Sequence, residues 1–214
     1  MTESGPRRKL AAILAADVVN FSRMMGENED RTLRNLKICR TITDRAIQSN
    51  HGRVFGGAGD SIIAEFGSPV DALIAATGFQ QDLESRNRAV PLEDQMVFRV
   101  GLNLGDVIIE GDNLYGDGVN VAARLEAFAD PGGITLSGKF HEEVIRKLEI
   151  TFVDTGSQAM KNIVTPVPTF KVELDSVPKI QKSPDSASEA DTSTATLGSA
   201  EALKDDRPPA IAVL

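Results

Sequence analysis

The stretch RVFGGAGDSIIAEF, residues 53–66, carries two short apolar runs around a turn with three glycines and one aspartate. Alternation of apolar and small or polar residues on each side predicts a β-hairpin, with strands over 53–55 and 62–66. Glycine suits the positive φ angles of such a turn. Nothing in turn geometry requires Asp60 where the return strand begins. A helix is predicted on either side of the hairpin. Upstream, Leu33, Leu36, Cys39, Ile42 and Ala46 recur at helical spacing within residues 29–50. Downstream, Ser68-Pro69-Val70-Asp71 reads as an N-cap, a proline at the first helical position and an acidic residue in the first turn. Leu73, Ala76, Phe79 and Leu83 continue that helix.

Outside this helix–hairpin–helix block, residues 9–19 form an apolar run that reads as a buried strand, and residues 96–110 read as a long strand interrupted at Gly105. The predicted order is then β-α-β-β-α-β. That is the order of a ferredoxin-like split βαβ sandwich, an α+β fold with an antiparallel-rich sheet and two helices on one face. A C-terminal αβαββ addition follows. It comprises a helix over 116–130, a strand over 132–137, a helix capped by Ser137 and running through Leu148, and strands near 149–154 and 169–174.

The 214 residues are 41% hydrophobic and 25% charged, as expected of a globular chain. A net charge of −8 disfavours general nucleic-acid binding, because the phosphate backbone is repelled on average. The single cysteine, Cys39, excludes an intrachain disulfide and suits a reducing compartment. No apolar run has the length of a membrane span, and the polar, basic start MTESGPRRKL is not a secretory leader, so a cytoplasmic domain is expected. Residues 1–8 read as a flexible tail and 9–174 as the folded domain. Residues 175–209, rich in Ser, Thr, Ala, Asp and Pro, read as a flexible linker. The terminal AIAVL, residues 210–214, reads as the first strand of a following domain cut short.

Chemistry gathers at the strand ends. Asp17 closes the first apolar strand and Asp60 lies in the hairpin turn; the split βαβ order makes these neighbours in the sheet. Two carboxylates converging there suit a hard cation such as Mg²⁺. The plainer alternative is a cap at Asp17 and a solvated turn residue at Asp60. Asn120 and Arg124, four apart, share one helix face, and Gly116 and Gly118 leave that helix start open to an anion. An ordinary surface face explains them equally well. GITLSGKF, residues 133–140, has the spacing of a phosphate-binding loop, but Phe140 stands where a Ser or Thr must hold Mg²⁺. His51 and His141 read as structural or solvated, Cys39 as core, and the acids at 27–30 and 205–206 as solvated.

ILAADVVNFSRMM, GRVFGGAGDSIIAEF, RVGLNLGDVIIEGDNLYGDGVNVAARLEAFADPGGITLS and MKNIVTPVPTFKV together resemble the catalytic domain of class III adenylate/guanylate cyclases, over about residues 9–174. RPPAIAVL is similar to the opening of a domain that follows the cyclase domain in some multidomain bacterial cyclases. The resemblance implies cyclisation of a nucleoside triphosphate, with ATP the expected substrate, to a 3′,5′-cyclic nucleotide and pyrophosphate. It implies two Mg²⁺ or Mn²⁺ ions on Asp17 and Asp60, ribose orientation by Asn120, charge stabilisation at phosphorus by Arg124 and triphosphate binding by Lys161. It also implies a head-to-tail homodimer with shared sites.

Two positions depart from the family pattern. The lysine and aspartate that read the base are Gly56 and Asn113 here. Three readings therefore stand: an active adenylate or guanylate cyclase in signal transduction, a catalytically weak nucleotide-binding regulatory module, and a structural dimerisation domain.

Overall fold

In the computed structural model, described for residues 7–177, the first strand is β1 (Arg7–Val18). Its centre is buried on both sides: Ala11, Ile13 and Ala15 face one way, Ala12, Leu14 and Ala16 the other. A strand covered on both faces loses the polar alternation of a half-exposed one, which explains the unbroken apolar run. Next come α1 (Phe21–Glu27), α2 (Glu29–Ser49), the hairpin β2 (Arg53–Gly56) and β3 (Ile62–Phe66), and α3 (Pro69–Arg88). The remainder is β4 (Phe98–Glu110), β5 (Asn113–Tyr115), α4 (Asp117–Phe128), β6 (Ile134–Ser137), α5 (Gly138–Val144), β7 (Phe152–Gln158) and β8 (Val167–Val172).

The strands make one eight-stranded sheet in the order β2-β3-β1-β4-β6-β8-β7, with β5 paired to β4. Only β4 and β6 run parallel among the paired strands. The first four strands, spatially β2-β3-β1-β4, are the split βαβ arrangement that the sequence predicts. Helices α2, α3 and α5 pack on one face through Leu36, Cys39, Ile47, Phe79, Phe140 and their neighbours. Helix α4 covers the other face through Ala122, over Ala11, Ile13, Ala15 and Val107.

Several boundaries differ from expectation for local reasons. The first strand starts at Arg7, because Arg7 and Arg8 pair with Ile109 and Ile108. Helix α1 has no fully buried residue and so leaves no periodic signal. The core stripe of α2 is Thr32, Asn35, Leu36, Cys39, Thr43 and Ile47, while Leu33 is exposed. Thr32 and Thr43 sit inside because their hydroxyls donate to carbonyls of neighbouring turns, Thr32 to Asn28 at 2.7 Å and Thr43 to Arg40 at 3.0 Å. Helix α5 stops at Val144 and continues to Leu148 only as turns. The residues resembling a phosphate-binding loop are β6 leading straight into α5, with Ser137 as its N-cap. Residues 175–177 of the expected linker are ordered: Leu174–Ser176 form a 3₁₀ turn and Val177 is buried. The rest of the expected linker, the terminal strand and residues 1–6 lie outside the described residues.

Gly105 does not interrupt β4, where it pairs with Ala11. It marks a close approach instead: a methyl there would meet the Gly118 Cα of α4 at 3.1 Å. One turn further along α4, a methyl at Gly101 would lie 2.2 Å from both the Ala122 carbonyl oxygen and the Glu126 nitrogen. The buried Asn103 between these glycines donates to the Gly118 carbonyl at 2.9 Å. Helix α4 thus rests backbone to backbone on β4. Gly101→Ala should therefore cost about 1–3 kcal/mol in chemical denaturation, since backbone cannot move aside as a side chain can. Gly26→Ala, with nothing within 4 Å of the added methyl, should be neutral or slightly stabilising.

Candidate active site

Asp17 and Asp60 meet at the end of β1. The Val18 N–H donates to Asp17 Oδ1 at 3.0 Å and to Asp60 Oδ2 at 3.1 Å, so two carboxylates share one donor. The turn that carries Asp60 is built for this. Gly57 has φ +135°, and a methyl on it would strike the Ser61 carbonyl oxygen at 2.2 Å. That same carbonyl accepts from Arg40 Nη1 of α2 at 3.0 Å, which pins the turn to the helix layer.

Around this pair stand two residues that the sequence reading missed. Arg99 lies directly opposite Asp17 in the β1–β4 ladder, with Nη2 3.9 Å from Asp17 Oδ2. Its Nε is 3.0 Å from Glu126 Oε1 on α4, an ion pair too bent to count as a hydrogen bond. The antiparallel register, once known, would have revealed Arg99. Glu126 shows only when α4 is docked.

The electrostatics follow from burial. Asp60 is raised from 3.8 to about 6, first by desolvation, then by its hydrogen bond with and the charge of Asp17. Glu126 rises from 4.5 to about 7, mainly by desolvation. Arg99 opposes that rise, while the charges of Asp17 and Asp60 add to it. Among the described residues no group of three or more His, Cys, Asp or Glu forms a cation cage. Two carboxylates with excess negative charge are nevertheless what Mg²⁺ takes from a protein when substrate phosphates complete its shell. The residues present fit such an ion.

Asn120 and Arg124 lie on the exposed side of α4, and neither side chain makes a hydrogen bond or ion pair within the described residues. Lys161 is also exposed, in the turn after β7. Its loop is fixed by Met160 and Ile163, which pack on Val121 and Leu125 of α4. Asn120 and Arg124 thus share the exposed side of α4, the Lys161 loop packs on that helix, and Asp17 and Asp60 lie at the end of β1. Two cavities, about 590 Å³ beside the start of α4 and about 740 Å³ between α3 and β4, are lined by none of these five residues. Gly56 ends β2 and Asn113 starts β5, and these strands approach each other. Arg53 joins them: its Nη1 donates to the Asp112 carbonyl at 2.8 Å and its Nε to Glu65 Oε1 at 2.7 Å. Buried Glu65 also pairs with Lys9, and the two cations hold its carboxyl below the usual range against the cost of burial. His141 stacks on Phe170 at 3.8 Å and so is structural. No helix among the described residues is long and apolar enough to cross a membrane.

Residues 5–173 match the model of the adenylate and guanylate cyclase catalytic domain. The chain is 45% identical over 169 residues to "Putative adenylate cyclase 3" of Rhizobium meliloti (strain 1021), covering 78% of this chain and 29% of that protein. It thus spans less than a third of that relative. A crystal structure titled adenylate/guanylate cyclase/hydrolase, from Silicibacter pomeroyi, is similar at TM-score 0.74 and 36% identity, covering 82% of this chain and all of that one. The adenylyl cyclase CyaB of P. aeruginosa shares the fold at TM-score 0.68 and 20% identity, covering 78% of this chain and 95% of that chain.

A raised carboxyl pKa in the folded state means that the native protein binds more protons than the unfolded chain between the two values. Stability then falls as pH rises through that window. For Asp60 the window runs from 3.8 to about 6 and for Glu126 from 4.5 to about 7. In EDTA the melting temperature should fall from pH 5 to pH 7.5. Asp60→Asn should raise it at pH 7.5 by about 1–3 °C, a modest figure because the group is partly solvated.

Proposed function

The chain belongs to the adenylate and guanylate cyclase catalytic-domain family, and from that premise we propose that it converts a purine nucleoside triphosphate, ATP foremost, to the 3′,5′-cyclic nucleotide and pyrophosphate. In this reaction the ribose 3′-oxygen bonds to the α-phosphorus, its proton leaves, and the bond from α-phosphorus to the bridging oxygen breaks. The observation that carries the reading is the convergence of Asp17 and Asp60 on the one Val18 N–H, which sets the two carboxylates side by side for a cation. Two divalent ions, Mg²⁺ or Mn²⁺, would supply charge neutralisation of the triphosphate and acidify the attacking hydroxyl.

The other roles fall to residues on the exposed side of α4 and in the turn after β7. Arg124, exposed and unpaired within the described residues, is assigned to the charge that develops on the phosphoryl oxygens. Asn120, one turn before it, orients the ribose with an amide that both donates and accepts. Lys161 holds the triphosphate. With these three assigned to one half-site and Asp17 with Asp60 to the other, a head-to-tail homodimer completes both. Gly56 and Asn113 are assigned to the base pocket. The domain is read as a cytoplasmic signalling module.

The division of labour has a direct test. Asp17→Ala and Arg124→Ala should each abolish cyclic nucleotide formation. Mixed dimers of the two should regain activity, because one of their two sites is fully native. Demonstrably mixed dimers without activity would rule out shared sites.

Base selection has its own test. Gly56 offers no side-chain donor, and the Asn113 amide can face either purine. The chain should therefore discriminate between ATP and GTP weakly, by about one hydrogen bond, roughly 0.5–1.5 kcal/mol or up to about tenfold. A Cβ at Gly56 would meet only Ile63, at 3.7 Å, so the strand can accept one there. Gly56→Lys with Asn113→Asp should sharpen the ratio of kcat/KM values toward ATP.

A further inference from the structure

Asp17 and Arg99 face each other across the β1–β4 ladder. Opposite charges at such positions attract and ordinarily close into contact. Here the gap stays open at 3.9 Å, while the same guanidinium approaches Glu126 to 3.0 Å. The Glu126 side chain is 13% exposed and that of Asp17 30%, so the contact with Glu126 is the drier of the two. Glu126 is also held firmly. Its backbone nitrogen sits over Gly101, two residues from Arg99 on β4, with no room for even a methyl between helix and strand.

We propose that Glu126 is a positioning residue that holds the Arg99 guanidinium off Asp17, leaving the Asp17 carboxylate available to a divalent cation. This rests on the reading of Asp17 and Asp60 as the cation site. Arginine stays charged at all working pH values and its planar fork matches a carboxylate, so it is a strong competitor for Asp17. Released from Glu126, it has an acid directly across the strand. A closed Arg99–Asp17 pair would occupy one of the two carboxylates that the cation needs. Glu126 touches no cation in this arrangement and acts only through Arg99.

The test is Mn²⁺ binding to nucleotide-free protein, read by electron paramagnetic resonance of free Mn²⁺, with folding checked by circular dichroism. With Arg99 present, Glu126→Gln and Glu126→Asp should each weaken binding roughly threefold to tenfold, as expected when one partly buried charge contact replaces another. Glu126→Asp keeps the charge and shortens the arm, so it separates position from field. In an Arg99→Met background Glu126→Asp should alter binding by less than about twofold, because no competitor remains, and Glu126→Gln should weaken it less than it does with Arg99 present. If Glu126→Asp fails to fold, a smaller loss for Glu126→Gln without Arg99 than with it carries the test. Equal weakening with and without Arg99 would overturn the positioning role, and so would unchanged binding in both single variants. Wild-type protein that binds no Mn²⁺, or an Asp17→Asn variant that binds as well as wild type, would instead remove the cation site and this role with it.

Discussion

Helix α4 sits on a sheet face of small apolar side chains and, at two points, on bare backbone. At Gly101 and at Gly105 its backbone rests on the backbone of β4, and Asn103 ties its first turn down through the Gly118 carbonyl. That seating fixes the rotation and height of the helix at once. Glu126 then points at Arg99 and the acids of β1 and the hairpin. Asn120 and Arg124, on the far side of the same helix, face solvent. Val121 and Leu125 hold the Lys161 loop in place. A helix raised by even one methyl layer would misplace all three groups together. Protein interiors are too densely packed to absorb such a shift locally.

The second organising feature is an excess of acid. Asp17, Asp60 and Glu126 share a partly dry region with one guanidinium, Arg99. By folding logic alone this is a poor arrangement, because desolvation and mutual repulsion both raise the cost of keeping the carboxylates ionised. It becomes favourable once a cation is present, and such strain is commonly stored where function is. The neighbouring Lys9–Glu65–Arg53 cluster shows the contrast. There two cations meet one buried acid, the charge is balanced, and Arg53 is left over to brace the Asp112 carbonyl.

Much of the architecture was legible from residue order. The continuous apolar β1, the glycine turn between two helices and the Ser68-Pro69 helix start all survive as β1, β2–β3 and α3. The errors have common causes. Elements of three to seven residues, such as β5 and α1, are too short to display a period. Buried threonines in α2 look polar in sequence because the carbonyls that satisfy them are supplied by the fold. Gly105 looks like a break because a close approach by another element leaves the same mark as a bend.

What the sequence determined by itself was therefore local and modular: the order of the longer strands and helices, the split βαβ core, the family, and the identities of Asp17, Asp60, Asn120, Arg124 and Lys161 as candidates. The element order and core follow from periodicity and caps, Asp17, Asp60, Asn120 and Arg124 from their places on the predicted elements, and the family and Lys161 from the resemblance of whole motifs to cyclase domains. Only the tertiary structure decided which of them meet. It brought Asp17 and Asp60 to one N–H across 42 intervening positions and set Arg99 opposite Asp17. It added Glu126 from a helix on the outer layer and turned Arg124 away to the surface. Strand register and helix seating depend on contacts between residues far apart in the chain, and a carboxylate acquires its charge state from whatever those contacts place beside it.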